Sequence, residues 1–122
     1  AGLLNDMRTL STPASIDNTP TCCDQEDYVS MGYNASKKAI TVAEKLEYIL
    51  AIELLSSYES SAYTNTKVRR SPATEAVFEK VSEAIPLIEN DIFLFDGINY
   101  LKELIHSGEL VEIIRDKVPE FK

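Results

Sequence analysis

Leu46-Glu47-Tyr48-Ile49-Leu50-Ala51-Ile52-Glu53-Leu54-Leu55 is the stretch on which the fold turns. Only Glu47 and Glu53 interrupt its apolar residues, and a helix that is apolar on nearly all sides must be surrounded. Upstream the pattern is amphipathic, with Ala35, Ala39, Val42, Ala43 and Leu46 on one face and Lys37, Lys38, Glu44, Lys45 and Glu47 on the other. Residues 30–58 are therefore predicted to form one long core helix. The short helices of the same chain cover part of it, and the rest needs further chain or other subunits, unless the helix is simply the core of a self-contained domain.

On the N-terminal side, Leu3, Leu4, Met7 and Leu10 follow helical spacing, and Pro13 and Pro20 then keep the chain extended. On the C-terminal side, 56–70 is rich in Ser, Tyr, Thr and Asn without a period and reads as a surface loop. Ser71-Pro72 offers a cap and a first helical residue, and Ala76, Val77, Lys80, Val81 and Ala84 give helical spacing up to Pro86. Asp96 is expected to cap a helix through Tyr100, Leu101, Leu104 and Ile105 that Gly108 ends in left-handed geometry. A last helix carries Leu110, Val111, Ile113 and Ile114 before Pro119. The run Ile92-Phe93-Leu94-Phe95 is too short to assign, and no nearby segment offers a pairing partner for a strand. The expected class is all-α, with short helices in 71–122.

Charge narrows the function classes. Lys and Arg total 12 against 20 Asp and Glu, a net charge of −8, and an acidic surface repels phosphate backbones and anionic membranes. Nucleic acid is not an expected partner; the nearest basic patch, Lys67, Arg69 and Arg70, is short and lacks interleaved aromatics. No run approaches the ~18 apolar residues of a membrane span, and no signal-peptide pattern opens the chain, so no membrane role is expected and the cytoplasm is the expected compartment.

Cys22 and Cys23 are adjacent, which disfavours a mutual disulfide, and they lack the His or Cys partners of a zinc site. They read as packing residues or as a reactive thiol near Glu26. Asp24, Glu26 and Asp27 precede the long helix, where negative charge meets the positive end of the helix dipole, and Ser30 is a candidate cap. His106, the one histidine, falls near a helix C-terminus and reads as a dipole or surface residue.

The block Gln25-Glu26-Asp27-Tyr28-Val29-Ser30-Met31-Gly32 closely resembles an active-site segment of histidine ammonia-lyases, within the aromatic amino acid ammonia-lyase superfamily. There Gln-Glu-Asp, one aromatic or histidine position, and Val-Ser-Met-Gly lead into a core helix. Ile49–Leu55, Ser71-Pro72 and the region of Asp91 follow in family order. The resemblance implies a C-terminal fragment of a subunit about four times longer. It also implies a homotetramer whose central helical bundle includes the long helix, with 1–29 forming an N-terminal helix and an active-site loop.

The implied activity is the non-oxidative deamination of L-histidine to urocanate and ammonia on an electrophilic methylidene-imidazolone (MIO). That cofactor forms from Ala-Ser-Gly, which this chain lacks: Ala14-Ser15 is followed by Ile16 and Ala35-Ser36 by Lys37. The family's N-terminal catalytic tyrosine would be missing too, so the 122 residues alone are expected to be inactive.

By resemblance Glu26 is the carboxylate near the substrate imidazole, and Gln25 belongs to the shell around substrate or cofactor. A carboxylate accepts a ring N–H and favours a charged or polarised imidazole. Phenylalanine and tyrosine lyases and aminomutases, one alternative, typically carry Asn-Gln-Asp in this place. An unpaired carboxylate facing a phenyl ring would cost desolvation, and Tyr28 departs from the histidine common in the family. The other alternative is a free-standing helical interaction module. No metal is expected.

Overall fold

The structure is a computed structural model that describes residues 1–64 and 69–121. The described residues form five helices and no strand: α1 (Gly2–Leu10), α2 (Gly32–Tyr63), α3 (Pro72–Ala84), α4 (Phe95–His106) and α5 (Glu109–Lys117). The expected all-α class is what is found. Two compact units divide inside α2, at Ala1–Leu46 and Glu47–Lys122.

In the first unit α1 half-buries Leu3, Met7 and Leu10, which recur at helical spacing, while Leu4, grouped with them in the sequence, is exposed. Ser11 closes the helix, its hydroxyl donating to the Arg8 carbonyl at 2.7 Å. The chain beyond is fastened to the first half of α2 by Lys38, whose ammonium donates to the Thr12 carbonyl at 2.6 Å. Lys45 likewise reaches Asp6 at 3.1 Å. The predicted apolar face of this half is only weakly covered: Val42 is half-buried, whereas Ala35, Ala39, Ala43 and Leu46 are exposed. A nine-residue α1 and a loop are too little surface to seal it.

The second unit holds the core. Ala51, Leu55 and Tyr58 of α2 meet Val77 and Val81 of α3, Ile85, and Leu101 and Leu104 of α4. Ser71 caps α3 as expected, accepting from the Thr74 N–H at 3.1 Å, with Pro72 at the first helical position. Gly97 lets α4 approach the loop after α3, since a Cβ there would stand 3.3 Å from Ile85 Cδ1. Gly108 takes φ +78° and turns the chain from α4 into α5.

Three expectations are corrected. Helix α2 runs to Tyr63, so 56–63 is helix and not loop. Tyr58 is buried against Phe78 in an edge-to-face pair, with ring centroids 5.8 Å apart. The serines turn inward on the helix itself: Ser56 donates to the Ile52 carbonyl at 2.8 Å and Ser61 to the Tyr58 carbonyl at 2.6 Å. Such back-bonding slightly disfavours a helix, and tertiary packing outweighs both it and the weak propensity of serine. Residues 65–68 of the same predicted loop lie outside the described residues.

Asp96 is not a cap, because Leu94 already accepts the first helical hydrogen bond, from Ile98 at 3.0 Å, and Asp96 sits in the first turn. There it still favours the helix dipole. Ser30 is not a cap either. Met31 accepts from the Ala35 N–H at 3.0 Å, which leaves Ser30 one residue too early. Ile92–Leu94 is irregular and Phe95 opens α4.

Candidate active-site segment

The segment before α2 is a small hairpin built from a sequence with little regular propensity. Thr21 and Glu26 exchange backbone hydrogen bonds, Thr21 N–H to Glu26 at 2.8 Å and Glu26 N–H to Thr21 at 3.2 Å. Between them Cys22, Cys23 and Asp24 all take left-handed backbone, with φ of 53°, 57° and 65°. Each such L-residue costs roughly 1–2 kcal/mol, least for Asp, whose side chain tolerates this region. A Gln25 N–H donation to the Cys22 carbonyl at 3.2 Å tightens the turn.

A side chain completes the hairpin. The Asn18 amide donates to the Val29 carbonyl at 2.6 Å and accepts from the Val29 N–H at 2.9 Å. It stands where a second strand's peptide would, and both pairings are centred on the Cys23–Asp24 peptide. Sequence reasoning missed Asn18, because nothing local marks an amide that pairs eleven residues away. Met31 then takes φ 50° and redirects the chain into α2.

Gln25 and Glu26 are both exposed at the base of this turn. The Thr21 hydroxyl lies 3.3 Å from Glu26 Oε2, a weak hydrogen bond that leaves the carboxylate free to accept a donor. Asp24 and Asp27 are exposed as well. The helix begins five residues beyond Asp27, outside the first turn where the dipole acts, so the helix-start reading of Asp24, Glu26 and Asp27 does not hold. A cleft lined by Pro13, Ala14, Ile16, Asn34, Lys37 and Lys38 lies in the same unit and does not include Gln25 or Glu26. These exposed residues do not by themselves enclose a prosthetic group, and no Ala-Ser-Gly tripeptide occurs in the chain.

His106 is more engaged than its sequence position indicated. Its Nδ1 is 2.8 Å from Glu47 Oε1, pinning the end of α4 to α2. Lys102 Nζ lies 3.5 Å from Glu47 Oε2, an oxygen that is buried and has no hydrogen-bond partner, so the ammonium supplies charge and little directed bonding. The His106 hydrogen bond, against the opposing effect of burial, holds the Glu47 carboxyl below its ordinary range, with Lys102 assisting. This is a fastening between helices.

Of the basic patch, Lys67 lies outside the described residues. The Arg70 guanidinium donates to the Ser61 hydroxyl at 2.9 Å and lies 5.2 Å from the centre of the Phe78 ring. Among the described residues there is no group of three or more His, Cys, Asp or Glu able to hold a metal ion, and no helix long and apolar enough to cross a membrane.

Comparison with known proteins gives this geometry a family. The chain is 37% identical over 114 residues to a histidine ammonia-lyase of Symbiobacterium thermophilum, covering 93% of this chain and 22% of that protein. It is 36% identical over 113 residues to a tyrosine ammonia-lyase of Cupriavidus metallidurans, covering 93% of this chain and 21% of the relative. The crystal structure of histidine ammonia-lyase from Trypanosoma cruzi superposes with a TM-score of 0.85 at 33% identity, over 98% of this chain and 23% of that one. The chain thus spans between a fifth and a quarter of the length of these relatives. Residues 1–83, which include the left-handed turn at Cys22–Asp24 and the long helix α2, match the family described as aromatic amino acid lyase, and the chain belongs to that family.

Proposed function

We propose that this chain contributes the Gln25–Glu26 segment to the active site of an ammonia-lyase that converts L-histidine to urocanate and ammonia. The observation that carries the substrate is Glu26. Its backbone is fixed by two hydrogen bonds with Thr21 at the base of a turn, while its carboxylate is exposed and only weakly engaged by the Thr21 hydroxyl. An imidazole offers the N–H that such an acceptor lacks, whereas a phenyl ring would leave it desolvated and unpaired. Similarity over the whole chain does not separate the two substrates, since relatives named for histidine and for tyrosine match at 37% and 36%.

Glu26 accepts from the ring of the substrate, and Gln25, the adjacent amide, hydrogen-bonds substrate or cofactor. When present, MIO supplies the electrophile; the Ala-Ser-Gly that forms it lies outside these 122 residues, which alone do not turn over histidine. Segment 1–29 serves as N-terminal helix and active-site loop, α2 as the central helix, and 71–122 as packing helices. The rest of a lyase subunit, and further copies of it through α2, are the partners, and the cytoplasm is the compartment. The experiment is a spectrophotometric comparison, on a lyase subunit carrying this segment, of urocanate formed from histidine with coumarate formed from tyrosine. Preference for histidine is the expected result; preference for tyrosine rejects the substrate assigned here.

A further inference from the structure

We propose that Cys22 and Cys23 form a vicinal dithiol site for soft, thiophilic centres with two open valences, the class represented by monosubstituted trivalent arsenicals. Both thiols are free and exposed. In an extended chain neighbouring side chains point to opposite faces. At φ 53° and 57° the two residues instead follow a left-handed helical turn, where successive side chains are only about 100° apart around the axis. The backbone bonds between Thr21 and Glu26 close this turn, so the two cysteines are carried close together on a fixed loop and not on opposite faces of a strand.

The number of ligands selects the guest. Zinc takes four nitrogen, sulfur or oxygen ligands, and no third His, Cys, Asp or Glu completes such a set among the described residues. A direct disulfide is strained, because adjacent Cα atoms across the trans peptide are about 3.8 Å apart, below the usual disulfide range of roughly 4.4–6.8 Å. One inserted atom relieves that strain by widening the ring. A monosubstituted arsenic oxide has two positions to give: its arsenic–oxygen bonds are replaced by two arsenic–sulfur bonds, and the oxygen leaves as water with the two thiol protons. No oxidation state changes, so no oxidant is needed. Asp24, Glu26 and Asp27, all exposed around the turn, repel anionic reagents and admit a neutral one.

The test uses the 122-residue chain and phenylarsine oxide, read by intact-mass spectrometry. One arsenical per chain is expected, both cysteines then being protected from maleimide, with the adduct surviving excess monothiol and released by a dithiol. Cys22→Ser and Cys23→Ser should each weaken retention on the order of 10²-fold, the loss of a chelate's effective concentration. A urea-unfolded sample, where the left-handed turn is gone, should also bind more weakly than the folded chain. An adduct stripped by monothiol as readily from the parent as from either variant, or one cysteine remaining open to maleimide, overturns the site. Equal retention by folded and unfolded chain overturns the role of the turn. These readouts do not depend on whether Glu26 contacts a substrate.

Discussion

Asp24 illustrates how much the hairpin asks of single residues. With φ at 65°, it is the third successive residue held in left-handed backbone, and its exposed side chain makes no hydrogen bond among the described residues. Replacing it by glycine removes the steric cost and adds some freedom to the unfolded chain, the first effect being larger at such a φ. Asp24→Gly is expected to raise stability by about 0.5–1 kcal/mol, measurable as a higher midpoint in urea or thermal unfolding. The turn was not legible in the sequence, because neither cysteine nor aspartate announces three consecutive positive φ values. What was legible was the order of residues, Gln25-Glu26-Asp27 and then Val29-Ser30-Met31-Gly32, and it located the segment without giving its shape. Asn18 escaped notice for the same physical reason: its amide replaces a backbone partner, and only the folded chain brings Val29 to it.

At the level of elements, caps and punctuation were readable and side-chain rescue was not. Ser71-Pro72 and Gly108 mark helix boundaries by chemistry that is local, and they do so in the fold. The extension of α2 to Tyr63 depends on Tyr58 meeting Phe78, twenty residues away in sequence. Tyr58→Ala should therefore cost about 3 kcal/mol or more, the range for truncating a buried aromatic, and shorten the helix. Loss of far-ultraviolet helical signal together with a lower unfolding midpoint is the expected outcome. A wild-type midpoint would mean that the ring only covers the surface.

The Glu47–His106 fastening makes a separate prediction in pH. The Glu47 carboxyl is lowered in the fold, so its stabilisation is complete above the ordinary carboxylate value of 4.5 and is lost as pH falls through the lower folded value. The contact is near the surface and partly screened, so the effect is small. Thermal midpoints measured downward from pH 6 should fall less steeply, relative to their value at pH 6, in His106→Ala than in the parent, because the variant lacks the partner that lowers Glu47. Lys80 works in the opposite direction. Its hydrogen bonds to Glu109, first, and Glu83 raise it above 10.5, so that contribution holds below 10.5 and disappears at still higher pH.

For the molecule as a whole, the apolar run of α2 is only half used by the core. Ala51 and Leu55 are buried, while Leu46, Leu50 and Ile52 remain 44%, 41% and 43% exposed. Apolar surface of that kind on one helix favours association over solvation. Self-association at micromolar concentration is the expected outcome in light scattering, with Ile52→Glu shifting the chain toward monomer; a monodisperse monomer would contradict it.

The claim at the centre is that Glu26 meets the substrate ring, and its most direct measurement is kcat/KM for histidine in a lyase subunit carrying Glu26→Gln, set beside Asp24→Asn. Glutamine keeps the shape and removes the charge. Losing a charged hydrogen-bond partner is worth about 1.5–3 kcal/mol, or roughly one to two orders of magnitude in rate. The predicted result is a loss of that size for Glu26→Gln with an unchanged unfolding midpoint, and a much smaller loss for Asp24→Asn. Equal losses in the two variants, each in proportion to lost stability, would contradict it.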